Sequence, residues 1–150
     1  MLPDGRFMTI WSDDGSADQG HIGSLNGQIF TDAGVADSAV LTFATSPRGF
    51  GRRHSVAMLP DGGLALSWDS DPAGFSVQII NADGTLSGLT QHFTTSTAGG
   101  GAYVQIAALV NGDLVVAWQE QSTSGGDLQL APCMPNCWMA TAKQSAHSFK

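Results

Sequence analysis

The sequence predicts an all-β fold, β-propeller-like, with about two and a half four-stranded blades per chain, and three observations carry that expectation. The first is a repeat. Leu2-Pro3-Asp4-Gly5 leads to Trp11, Leu59-Pro60-Asp61-Gly62 to Trp68, and Leu109-Val110-Asn111-Gly112 to Trp118, with the tryptophan nine residues after the leucine each time. A second set of anchors shares one register: Gln28-Ile29-Phe30, Gly34 and Phe43 return fifty residues later as Gln78-Ile79-Ile80, Gly84 and Phe93. The second observation is turn chemistry, with nineteen glycines and many Asp-Gly or Asn-Gly pairs between apolar runs. The third is that no stretch combines helical periodicity with helix caps.

Each repeat reads as four strands. The innermost is Ser55–Leu59 or Gln105–Val110. An Asp-Gly or Asn-Gly pair follows, the dipeptide of a two-residue hairpin. The second strand is Arg6–Trp11, Leu64–Trp68 or Leu114–Trp118, and its Trp and Leu residues are expected to pack blade on blade. The third is Gln28–Thr31 or Ser76–Asn81, and the fourth is Ala39–Thr45 or Leu89–Thr95. A β-sandwich is the alternative architecture that strand counting leaves open.

On this register blade 1 covers about 1–46, blade 2 about 47–96 and a partial blade 3 about 97–130. The first copy lacks its innermost strand, and the last has a third strand at Asp127–Leu130. Residues 131–150 match nothing upstream and read as a non-repeat tail, so the chain reads as a fragment of a longer repeat protein. Such a set of blades cannot close a ring and leaves strand edges open. The expectation is a homo-oligomer, most simply a two-fold dimer completing a five- or six-bladed ring.

Composition narrows the function classes. A net charge of −7 argues against a nucleic-acid partner, which requires a basic field. No apolar run approaches a membrane span, so no membrane partner is expected. Met1 leads straight into Leu-Pro-Asp-Gly with no basic and apolar leader, so an export signal, if there is one, lies outside this sequence.

The Leu-x-Asp-Gly…Trp pattern, followed by Gln-Ile-x-Asn-Ala-Asp-Gly-Thr and then Phe-Thr-Thr-Ser-Thr-Ala-Gly, resembles the repeat arrays of large secreted, RTX-toxin-related and adhesin-like bacterial proteins. The resemblance covers roughly residues 1–130 and is clearest over 55–118. It implies a repeat scaffold in a bacterial extracellular setting and brings no catalytic residues with it. The first copy departs from the pattern, with seventeen residues from Trp11 to Gln28 against ten from Trp68 to Gln78. The calcium-binding nonapeptides of RTX domains and the sialidase Asp-box are both absent from the sequence.

Candidate chemistry falls in two loops expected on one face of the repeat. Ser12–Asn26 carries Asp13, Asp14, Asp18 and His21; Thr45–His54 carries Arg48, Arg52, Arg53 and His54. His54 opens an innermost strand where the next copy has Val104, so the scaffold does not demand a histidine there. With His21 or a carboxylate it offers ligands for Zn²⁺ or another divalent metal. Arg52 and Arg53 offer binding to an anionic group, and a metal-bound water would supply a nucleophile for ester hydrolysis. Asp14-x-Ser16-x-Asp18-x-Gly20 has the alternate oxygen ligands of a calcium loop, without its closing Glu. Cys133 and Cys137 suit a small disulfide loop or two thiolate ligands. A nucleophilic cysteine would need a base, for which His147 is the candidate within the chain. His92, on a fourth strand, is expected to have no functional role.

Two functions follow. One is a structural or ligand-binding module of a bacterial surface or secreted protein, its partners itself and a small anionic ligand or glycan. The alternative is a small oligomeric metal-dependent hydrolase of phosphate or carboxylic esters, with its site at the channel mouth. The first has the better motif support, because a fold alone does not imply chemistry.

Overall fold

The computed structural model describes residues 1–13, 23–46, 54–70, 74–94, 104–121, 129–134 and 137–144, with side chains described at all of these except 46, 119–121, 129–134 and 137–144. The described residues form an all-β structure without a helix. Its strands are β1 (Phe7–Asp13), β2 (Gly23–Phe30), β3 (Leu41–Ser46), β4 (His54–Met58), β5 (Leu64–Asp69), β6 (Phe75–Ile80), β7 (Leu86–Phe93), β8 (Gln105–Ala108), β9 (Leu114–Gln121), β10 (Gln129–Met134) and β11 (Cys137–Gln144). They fall into three sheets, and none of the sheets closes on itself.

The first two sheets are antiparallel meanders, in the orders β1-β2-β3 and β4-β5-β6-β7. Five turns among the described residues have one construction. At Leu2–Arg6 the Leu2 N–H donates to the Arg6 carbonyl (2.7 Å) and the Gly5 N–H to the Leu2 carbonyl (3.1 Å). The same pair of bonds closes Thr31–Val35, Leu59–Gly63, Asn81–Thr85 and Leu109–Asp113. These are three-residue loops ending in a glycine, a turn followed by a left-handed residue, rather than the two-residue hairpins expected from the dipeptide. Gly62 and Gly84, at φ of 87° and 90°, need that freedom twice over. A Cβ at Gly62 would run into Pro3, and one at Gly84 into Ile29, because these turns press onto the first sheet.

Strand alternation then sorts side chains into two cores. Leu64, Leu66 and Trp68 of β5, with Ile80, pack on Leu2, Leu25 and Ile29, and Met8, Ile10 and Phe43 flank them. Ala65 of β5, with Phe75 and Val77, packs on Val104, Ile106, Leu114 and Val116. The central strands of the second sheet, β5 and β6, are therefore buried on both faces, between the first sheet and the third. Phe75 anchors the second core by stacking on Phe93 (5.0 Å between centroids) and lying against Trp118 (5.2 Å). The tryptophans differ in burial. Trp68 is 2% exposed and Trp118 is half-buried, whereas Trp11 is 37% exposed and does not pack as the repeat pattern predicts. Met8 and Ile10 take the β1 face toward the second sheet, so Trp11, on the alternate positions, points to a face that no further sheet covers among the described residues.

The third sheet departs from the expected meander. Its order is β10-β11-β9-β8, and β11 lies parallel to β9, from Cys137↔Leu114 to Gln144↔Gln121. The expected third strand at 127–130 falls partly in β10, which takes the outermost place. The segment 131–150, set apart by its sequence, supplies the strand next to β9. Pro132 gives the physical reason. It has no N–H for a ladder, so β10 suits an edge and the chain without proline takes the interior position. A long connection between β9 and β11 permits the parallel pairing.

Candidate functional site

β1 and β2 extend further than the sequence suggests, to Asp13 and back from Gly23. Ser12, Asp13 and residues 23–26 of the loop expected at 12–26 therefore belong to strands, and Asp13 is an exposed strand residue. Asp14, Asp18 and His21 lie outside the described residues, as do Arg48, Arg52, Arg53 and His147. Cys133 and Cys137 are placed by backbone alone, near the ends of β10 and β11, where Met134 pairs with Cys137. His92 lies on β7, its Nδ1 2.8 Å from the Ser76 hydroxyl.

His54 is the candidate residue whose side chain can be followed. It opens β4 opposite Trp68. Alternation puts His54, Val56 and Met58 on one face of β4, where they line a groove of about 400 Å³. Met8 and Ile10 of β1 form the facing wall, with Met1, Leu2 and Leu64 completing it. Val56 and Met58 remain 42% and 49% exposed, while Leu2 and Leu64 are buried. The His54 Nδ1 is screened from solvent and has no hydrogen-bond partner among the described residues. Every other residue lining the groove is apolar.

The side chains that line the groove are apolar apart from one imidazole. A zinc or similar site needs three or four converging ligands, and among the described residues no group of three His, Cys, Asp or Glu side chains comes together. Nor do the described side chains offer a free cation for an anionic ligand. Arg6 is the one Lys or Arg among them, and it bridges Asp4 (2.7 Å) and Asp37 (3.1 Å). Its hydrogen bonds to Asp4 and Asp37 raise the guanidinium pKa further above its already high value.

Sequence reasoning reached His54 but not its neighbours. The available signal was alternation: Met8 with Ile10, and Val56 with Met58, are i, i+2 pairs of strands assigned from the repeat. Which face of each strand lies open depends on sheet stacking.

No known protein family, characterised protein or solved structure matches the chain.

Proposed function

We propose that the chain is a repeat-built module of β-propeller type, serving a structural or ligand-binding role in a bacterial surface or secreted protein, its ring completed by self-association. The observation that supports this reading is the contrast between equivalent tryptophans. Trp68 is buried beneath the first sheet, while Trp11 is open on a face that also carries the stacked rings of Phe7 and Phe30, 5.6 Å apart. Open aromatic surface of that kind marks an association face. A non-catalytic role also fits the apolar surroundings of His54.

The test is elemental analysis of chelator-washed protein together with its solution mass. A metal-free oligomer is expected. A tightly held transition metal that His54→Ala removes would overturn the module reading in favour of an ester hydrolase. A metal-free monomer would overturn ring completion by self-association.

A further inference from the structure

Four of the glycine turns share a side-chain bond, and one of them differs in chemistry. Asp4 Oδ1 accepts from the Arg6 N–H (3.1 Å), Asp61 Oδ1 from the Gly63 N–H (2.9 Å) and Asp83 Oδ1 from the Thr85 N–H (2.9 Å). Asn111 Oδ1 accepts the same bond from the Asp113 N–H (3.2 Å), and its Nδ2 donates to the Asp113 carboxylate (2.8 Å). The residue two places on accounts for the change from carboxylate to amide. Arg6, Gly63 and Thr85 put no negative charge beside the turn residue, whereas a carboxylate at 111 would face that of Asp113.

Asn-Gly is a reactive pair, because a glycine nitrogen has no neighbouring side chain to hinder its attack on the asparagine amide carbon. It occurs twice in the sequence, at Asn26-Gly27 and Asn111-Gly112, in unlike surroundings. Asn26 is buried; its Nδ2 donates to the Ser24 hydroxyl (2.6 Å) and its Oδ1 accepts from the Thr42 hydroxyl (3.0 Å). Gly27 is held in the ladder between β1 and β3, where a Cβ would run into Phe43. Asn111 is exposed, and a Cβ on Gly112 would meet nothing within 4 Å. Its bond from the Asp113 N–H folds the side-chain carbonyl back over the Gly112 peptide and polarises it. Attack requires the Gly112 N–H to give up its bond to the Leu109 carbonyl (3.0 Å), in a turn whose residues 109–112 are all exposed.

We propose that Asn111 is a site of spontaneous deamidation, and that its conversion loosens the hairpin between β8 and β9. The Gly112 nitrogen loses its proton to solvent and bonds to Asn111 Cγ; the Cγ–Nδ2 bond breaks and ammonia leaves, giving a cyclic imide. Water then opens the ring. Cleavage between the nitrogen and Cγ gives aspartate, and cleavage at the Asn111 backbone carbonyl gives isoaspartate. One water is consumed and one ammonia released, with no change of oxidation state. Aspartate keeps the bond from the Asp113 N–H, as Asp4 and Asp61 do at their turns, but sets a second carboxylate against Asp113. Isoaspartate adds a methylene to the main chain of a three-residue loop, so the Leu109 N–H to Asp113 carbonyl bond (2.8 Å) and the Gly112 to Leu109 bond no longer close together. β8 and β9 carry Val116, Leu114 and Ile106 into the second core, so a looser hairpin weakens the packing of the third sheet on the second.

The experiment ages the full chain in mildly alkaline buffer and maps its peptides by mass, with isoaspartate read by enzymatic methylation. Acidic forms are expected to accumulate with time, with both aspartate and isoaspartate at position 111 and with Asn26 intact. Asn111→Gln should abolish that acidic shift. Amide exchange at Leu109 and Gly112 should quicken in the aged chain. Asn111→Asp should lower the urea midpoint at about pH 7, with the deficit closing as pH falls through the carboxylate range near about 4. Adding Asp113→Asn should restore the midpoint, since it removes the facing charge. An Asn111 that stays intact in the folded chain while the urea-unfolded chain converts would overturn the site. Conversion at Asn26 ahead of Asn111 would do so as well. Unchanged exchange in the aged chain, or equal midpoints for Asn111→Asp and the parent, would overturn the loosening.

Discussion

Ser55 and Gln105 stand fifty positions apart, at the same register position of successive strand pairs, and their side chains meet at 3.4 Å. The Ser55 hydroxyl also accepts from the Ile106 N–H. One side chain therefore ties β4 to β8, the strands where the second and third sheets come together. Ser55→Ala should cost about 0.5–1.5 kcal/mol, the net value of an ordinary hydrogen bond. A double-mutant cycle with Gln105→Ala, followed by urea denaturation, should show non-additivity if the two side chains act together.

Trp68 and Trp11 hold equivalent sequence positions in unequal surroundings. Trp68→Ala should cost about 3–5 kcal/mol, as for a large aromatic removed from a packed core. Trp11→Ala should cost well under about 1 kcal/mol in the isolated monomer. If self-association covers the face bearing Trp11, its truncation should instead shift the oligomer toward monomer at equal protein concentration. Denaturation midpoints and sedimentation measured together separate the two effects.

Gly62 and Gly112 have nearly the same backbone, φ of 87° and 88°, but only Gly62 has a neighbour where a Cβ would go. Alanine at either position is strained by the left-handed conformation, at about 1–2 kcal/mol. Gly62→Ala should cost measurably more than Gly112→Ala, because Pro3 must also move. Equal losses of stability would mean that the first hairpin does not press on the second in solution.

Asp83 accepts hydrogen bonds from the Thr85 hydroxyl (2.7 Å) and the Thr85 N–H (2.9 Å), and these hold its carboxyl below the usual carboxylate range. The folded pKa is depressed, so the carboxylate's contribution is present above the unfolded value of about 3.9 and is lost as pH falls through the folded value. Asp83→Asn should therefore flatten the fall in stability on acidification below about pH 4, relative to the parent chain. Urea midpoints for both proteins at pH 5 and pH 2.5 would test this. A parallel fall in both would show that Asp83 makes no net contribution.

Most strands were legible from local pattern. Leu64–Trp68 and Leu114–Trp118 combine alternation with flanking glycine turns, and both fall within observed strands. The hairpin type was less legible, because Asp-Gly serves a two-residue loop and a three-residue loop equally well. Among the described residues His54 is the candidate that acquires a defined setting, and that setting is apolar.

Local residue pattern is enough to set the all-β class, the order of strands in the first two sheets and the positions of the glycine turns. All of these depend on side-chain alternation and on φ at a few residues, which are properties of short segments. Tertiary structure decided which face of each strand is covered, which is why Trp68 is buried and Trp11 is open. It also placed β11 inside β10 in the third sheet and set Met8 and Ile10 of β1 across a groove from His54, Val56 and Met58. These outcomes follow from long-range pairing and stacking, in which one strand's environment is set by residues far along the chain.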